Sequence, residues 1–206
     1  MHNKLLVFLL VALPLFSFVL VKSDFEVGKK APKTSKKMKD ISGNSYSLSD
    51  LKKDKGLIVV FSCNTCPFVV GNEDFEGWEK QYNDLYTFCE KSGYGFVLVN
   101  SNEAKRDNED SFAKMQEQAK NKNYKMKYLV DSNSELADAF GARTTPHIFM
   151  LDANMKLVYS GPIDNGYNKQ AKQQQYLRNA ISYSIKGKKL ETTSVAPVGC
   201  SIKRTK

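Results

Sequence analysis

Leu57-Ile58-Val59-Val60-Phe61 runs through Ser62 into Cys63-Asn64-Thr65-Cys66-Pro67-Phe68, and this junction decides the fold. Five consecutive apolar residues, rich in β-branched types, read as a buried strand. Beyond Pro67, apolar residues at Phe75, Trp78, Tyr82, Leu85 and Cys89 recur at helical spacing and predict one long amphipathic helix. A thiol between strand and helix meets backbone N–H groups and the positive helix end, both of which favour the thiolate. The stretch therefore reads as a reactive cysteine site, against the plainer readings of a chance spacing or a metal-binding pair.

Outward from this junction the alternation continues. Gly93 and Gly95 end the helix, Phe96-Val97-Leu98-Val99 predicts a second buried strand, and Asn100-Ser101-Asn102 a polar loop at its carboxyl end. Phe112, Met115 and Ala119 mark a helix, Tyr128-Leu129-Val130 a short strand, and Leu136, Ala139 and Phe140 a short helix closed by Gly141. Ile148–Leu151 and Leu157–Tyr159, joined across Asp152-Ala153-Asn154, predict an antiparallel hairpin. Leu177, Ala180, Ile181 and Ile185 give a last helix, stopped by Gly187. Upstream, Asp24–Lys39 reads as an extended lead-in, Gly43-Asn44 as a turn and Ser47-Leu48-Ser49-Asp50-Leu51 as a capped helical turn. Parallel strands with a closing hairpin and helices on both faces make an α/β sandwich.

The chain has 206 residues, enough for one domain with a proper core. His2-Asn3-Lys4 leads into Leu5–Val21, an apolar run longer than the usual signal-peptide core and just short of a comfortable membrane span. Val21-Lys22-Ser23 offers compact residues where a signal peptidase reads, so cleavage before Asp24 is the expectation, with retention as an anchor the other outcome. Either way the domain faces an extracytoplasmic space, periplasmic or external, where disulfides persist. The expected division is a leader or anchor over residues 1–23, a domain over 24–190 and a tail over 191–206 that carries Cys200. A formal net charge of +9 comes from scattered pairs such as Lys29-Lys30, Lys36-Lys37, Lys52-Lys53 and Lys188-Lys189, without aromatic residues arranged beside them. This is a solvated surface and argues against nucleic acid as a partner, leaving membrane contact to the N-terminal segment.

With Thr144-Thr145-Pro146 in this order of elements, the chain resembles the thioredoxin-like superfamily, which implies a three-layer α/β/α sandwich around a central mixed sheet. More narrowly it is similar to the redoxin and peroxiredoxin-like branch. The matching pieces are Val27-Gly28 with Ala31-Pro32, Leu48-Ser49-Asp50-Leu51, Phe61 through Phe68, Phe140-Gly141-Ala142 with Thr145-Pro146, Leu157-Val158-Tyr159-Ser160-Gly161 with Ile163-Asp164, and Gly199-Cys200-Ser201-Ile202-Lys203. They span almost the whole of the chain after the leader.

The resemblance implies that Pro146 is a cis proline facing the active-site cysteine, with the Thr145 backbone placed to pair with an extended substrate. It also implies Cys66 as the nucleophile, five positions after Phe61, with Pro67 opening the helix. The usual resolving position is Val69, so resolution falls to Cys63 on the other side or to Cys200. The peroxiredoxin pattern Pro-x-x-x-Thr/Ser-x-x-Cys puts Val59 and Cys63 where the proline and hydroxyl belong, which favours disulfide exchange over peroxide reduction. Arg143 and His147 are the candidates for tuning the thiol. Zinc at Cys63 and Cys66 would need both His147 and Cys200 to complete four ligands, so no metal is expected. The implied activity is a thiol–disulfide oxidoreductase without cofactor, whose partners are protein or small-molecule thiols and disulfides and an electron donor. A peroxidase and a redox-silent binding domain are the alternatives.

Overall fold

The computed structural model describes residues 25–205. The expected leader and cleavage site fall outside the described residues. Among those described, no helix is long and apolar enough to cross a membrane.

The strands are β1 (Met38–Asp40), β2 (Ser45–Tyr46), β3 (Gly56–Ser62), β4 (Tyr94–Asn100), β5 (Lys127–Val130), β6 (Thr144–Thr145), β7 (His147–Asp152), β8 (Leu157–Gly161) and β9 (Cys200–Ser201). The helices are α1 (Leu48–Leu51), α2 (Pro67–Val70), α3 (Tyr82–Lys91), α4 (Phe112–Asn121), α5 (Glu135–Phe140) and α6 (Tyr176–Ile185). A seven-stranded sheet has the order β2-β1-β5-β4-β3-β7-β8, and β6 pairs with β9 in a separate two-stranded piece. β3, β4 and β5 are parallel, while β1 and β2 on one side and β7 and β8 on the other run antiparallel. The sheet is mixed, and the predicted hairpin is β7 with β8.

Period-two alternation along β3 splits the core into two layers. Ile58 and Val60 join Leu98, Ile148, Tyr82, Leu85, Met115, Leu177 and Ile181, so α3, α4 and α6 cover one face. Leu57, Val59 and Phe61 join Val97, Phe149, Leu48, Leu136 and Phe140, so α1 and α5 cover the other. Both cysteines of the junction belong to the first layer. A strand buried on both faces has no polar alternation, which is why Leu57–Phe61 reads as a continuous apolar run.

The long helix expected after Pro67 is broken. α2 stops at Val70, residues 71–77 form a loop, and a short 3-10 turn over Trp78–Gln81 leads into α3. Gly71 and Gly77 both have positive φ, and a Cβ on Gly77 would lie 2.4 Å from the Val69 carbonyl oxygen. Asn72 Oδ1 accepts from the amides of Asp74 and Phe75, closing the turn. The aromatic residues keep their core positions, since Phe75 and Phe68 pack against Trp78. Apolar spacing alone concealed the interruption.

Candidate active site

β3 delivers Ser62 at the carboxyl edge of the sheet, and the chain turns through Cys63–Cys66 into α2. The buried carboxylate of Asp110 fixes this turn. Its Oδ1 accepts from the Asn64 amide at 2.9 Å and from Asn100 Nδ2 at 2.7 Å, and its Oδ2 accepts from Asn102 Nδ2 at 2.8 Å. Asn64 Nδ2 donates to Glu109 O at 2.9 Å, and Tyr128 Oη donates to Asn64 Oδ1 at 3.0 Å. Every polar group at the base of the turn thus has a partner, as a buried network requires.

Cys63 is 2% exposed and Cys66 5% exposed. Cys66 is the N-cap of α2 and Pro67 the first helical residue, whose missing N–H costs nothing there. α2 is only four residues long, so its summed dipole is small and the local donors matter more. Across from the two thiols stands Thr145, joined to Pro146 by a cis peptide bond. Its hydroxyl lies 3.0 Å from Cys63 Sγ, and its carbonyl oxygen accepts from the Cys66 thiol at 3.1 Å. From the opposite side the Cys200 amide donates to Cys66 Sγ at 3.4 Å.

These contacts separate the thiols electrostatically. Cys66 is held down to about 5, first because the Cys63 thiol donates to its sulfur, then because the Cys200 thiol and amide and the Phe68 amide donate to it, all against the cost of burial. Cys63 is pushed well above the ordinary thiol range by that same hydrogen bond to the Cys66 thiolate, and by burial. Burial, and the hydrogen bond to Cys66, push Cys200 up to about 11. The three thiols are thus biased in opposite senses, Cys66 toward the thiolate and Cys63 and Cys200 toward keeping their protons. Cys89 is buried in the first core layer and pushed up to about 12 by burial, as an inert structural cysteine should be.

Cys63, Cys66, Pro67, Thr145, Pro146 and Cys200 therefore come together. Arg143 and His147 do not join them. Ile148 and Met150 of β7 face the thiol layer, so His147 and Phe149 face the other, and the His147 ring packs on Phe149 with centroids 4.4 Å apart. His147 Nε2 is 3.0 Å from Ser160 Oγ, and the Arg143 amide donates to Nδ1 at 3.4 Å. Desolvation and the Arg143 charge lower its pKa to about 3. Both residues line a cleft of about 780 Å³ on that far side, with Phe140, Phe149, Pro197 and Arg204. The imidazole lies across the sheet from Cys63 and Cys66, so it cannot join them around one zinc ion. The thiol tuning expected of these two residues falls instead to Cys63, Cys200 and the Phe68 amide.

Sequence reasoning did not find Asp110, Asn64 or Asn102. Asp110 ends the charged run Lys105-Arg106-Asp107-Asn108-Glu109-Asp110, which reads as solvated loop. The available signal was the polar triplet Asn100-Ser101-Asn102 at the end of a buried strand, since such groups inside a domain need partners.

The family model Redoxin matches residues 26–175. No curated protein matches the chain. Among solved structures, an uncharacterized conserved protein of Geobacillus kaustophilus is similar, with 30% identity and a TM-score of 0.77 over 88% of this chain and 93% of that one. A hypothetical protein of Sinorhizobium meliloti shows 30% identity and a TM-score of 0.76 over 87% of this chain and 95% of that one. A secreted disulfide oxidoreductase of Mycobacterium tuberculosis shares the fold at 14% identity, with a TM-score of 0.52 over 73% of this chain and 96% of that one. Strand order, the paired thiols against a cis-proline loop and the matched stretch agree, and the chain belongs to the redoxin family.

Proposed function

We propose that this chain is an exported thiol–disulfide oxidoreductase in which Cys66 attacks and Cys63 resolves. The observation that carries the reading is the pair of buried thiols set against the cis Thr145-Pro146 loop, Cys63 Sγ 3.0 Å from the Thr145 hydroxyl and Cys66 Sγ 3.1 Å from its carbonyl oxygen, with Cys66 lowered and Cys63 raised by their contact. The Cys66 thiolate attacks one sulfur of a substrate disulfide, forming a mixed disulfide and expelling the other sulfur as thiolate. Cys63 then attacks Cys66 Sγ and expels the remaining substrate sulfur, which takes up the Cys63 proton, leaving a Cys63–Cys66 disulfide. One disulfide is reduced and one is formed, and an electron donor resets the enzyme. The same steps in reverse oxidise a substrate dithiol. The leader-like Leu5–Val21 run supports export to a compartment where this chemistry has substrates.

The test is reduction of insulin disulfides by residues 24–206 with dithiothreitol as donor. Wild type should accelerate the reaction and Cys66→Ser should not; a fully active Cys66→Ser variant overturns the assignment. A peroxidase reading draws on one feature, the Cys63 thiol donating to Cys66 from the position where peroxiredoxins carry a hydroxyl. Peroxide consumption by the reduced protein far faster than by free cysteine would replace the exchange reading with that one. Absence of both activities would leave a binding domain.

A further inference from the structure

The edge of Thr145 that an extended substrate would use is already taken. Thr144 pairs with Ser201 and Thr145 with Cys200 in antiparallel register, so the chain's own C-terminal strand lies against the cis-proline loop. The approach is close enough that Gly199 is required: a Cβ there would sit 2.3 Å from the Thr145 carbonyl oxygen. The strand is anchored on both sides. The Val195 amide donates to Ser160 O at 2.9 Å before it; after it, the Ile202 amide donates to Arg143 O at 3.0 Å and the Lys203 amide to Asn102 Oδ1 at 2.9 Å. Ile202 is buried in the second core layer.

We propose that this strand is a tethered redox partner, so that in the oxidised protein Cys200 exchanges with Cys66 and external thiols react at Cys200. The inference rests on Cys66 being the reactive thiol of the preceding section. Cys63 and Cys66 lie almost wholly inside, whereas Cys200 is only half-buried. Its amide and thiol both reach the Cys66 sulfur. The bonds balance at each step. In the oxidised protein Cys200 attacks Cys66 Sγ, breaking the Cys63–Cys66 bond, forming Cys66–Cys200 and passing its proton to Cys63. An external thiolate then attacks the outer sulfur, Cys200 Sγ, forming a mixed disulfide there and expelling Cys66. In this second step the leaving group is Cys66, which has the lowest pKa of the three thiols and so departs fastest, while in the first step the proton from Cys200 lets Cys63 leave as the thiol. A second substrate thiolate releases the substrate disulfide and returns Cys200 to the thiol. The occupant of the groove in the resting state is therefore the chain itself, and the external partner is a thiol that reaches the half-buried Cys200.

Two measurements test this on residues 24–206. The Cys63→Ser variant is oxidised with one equivalent of diamide, treated with reduced glutathione, quenched in acid and mapped by peptide mass. The expected result is a Cys66–Cys200 disulfide that opens to glutathione on Cys200. Glutathione on Cys66, or failure of the Cys66–Cys200 bond to form, overturns the relay. In the otherwise intact protein, Cys200→Ser should still form the Cys63–Cys66 disulfide in glutathione buffer while insulin turnover with dithiothreitol falls about tenfold or more, because the donor thiol loses the outer sulfur at which it resets the protein. Turnover that is unchanged or faster makes the strand a mere cover and also overturns the relay. Failure of the underlying exchange centre has a different signature: wild type that forms no Cys66 disulfide of either kind, which removes both readings together.

Discussion

Replacing Asp110 by Asn changes one atom at the base of the active-site turn and reports on the whole network. Oδ1 survives as the acceptor for the Asn64 amide and Asn100 Nδ2. The new amide group, however, faces Asn102 Nδ2, so a donor meets a donor where 2.8 Å separated donor from acceptor. Asn102 can turn its side chain over, but its Oδ1 then leaves the Lys203 amide that it accepts from at 2.9 Å. Either arrangement strands one buried donor, a cost of about 1–3 kcal/mol. The neutral amide is easier to bury than a carboxylate, which offsets part of that cost and places the net near the lower end. Asp110→Ala strands all three donors and should cost about 3–6 kcal/mol, a large share of a total stability of about 5–15 kcal/mol. Thermal unfolding of the reduced protein at neutral pH should therefore show the Asn variant lowered by about 2–6 °C and the Ala variant by about three times as much. Hydrogen exchange at the Lys203 amide should quicken in both. An Asn variant with wild-type melting and unchanged Lys203 exchange would refute the argument that Asp110 holds the turn and the C-terminal strand through one network.

Three further outcomes follow from geometry already described. Gly199→Ala should push the C-terminal strand off Thr145 and make Cys66 several-fold more reactive to iodoacetamide at pH about 7, because shielding falls faster than thiolate character; slower alkylation would show that the strand activates more than it covers. The alkylation rate of wild type should rise with pH to a half-maximum near 5, the value to which Cys66 is lowered, and Cys63→Ala should move that half-point upward by removing the leading donor; a half-point in the ordinary thiol range for wild type would contradict the site. His147, lowered to about 3 by burial first and by Arg143 second, stays neutral in the folded chain while an unfolded histidine titrates near about 6.5. Unfolding therefore takes up a proton as pH falls below that value, and stability declines by about 1.4 kcal/mol per pH unit toward the folded value. Urea titrations at pH about 6 and about 4 should show His147→Gln losing less stability than wild type across that interval, and equal losses would mean that the imidazole already carries a proton when folded.

The fold was readable because its strongest signals are local. Leu57–Phe61 and Phe96–Val99 are short β-branched runs bounded by turn residues, which reads as strands buried on both faces, and Asp152-Ala153-Asn154 marks the hairpin by turn chemistry. The break after α2 was hidden because Phe75 and Trp78 serve the same core layer that a continuous helix would have served, so the apolar period survives while the backbone does not. At the site, Cys63, Cys66 and Thr145-Pro146 were legible from spacing and resemblance. The position of His147 was decided by a parity that sequence does not supply: a shift of one residue in the β3–β7 register would have turned it toward the thiols. Asp110 was illegible for a related reason, since a carboxylate among charged neighbours looks the same whether it points to water or inward.

The two protonated thiols touching Cys66 have one more consequence, and it concerns damage. Any oxidised form of that sulfur, a sulfenic acid included, is born beside two intramolecular nucleophiles whose effective concentration is millimolar or higher. Condensation to a disulfide is then a unimolecular step, while further oxidation to the irreversible sulfinic acid needs a second oxidant molecule to arrive first. A redoxin built this way carries its own quenching agents within the fold and should survive oxidant bursts that would inactivate a solitary thiolate.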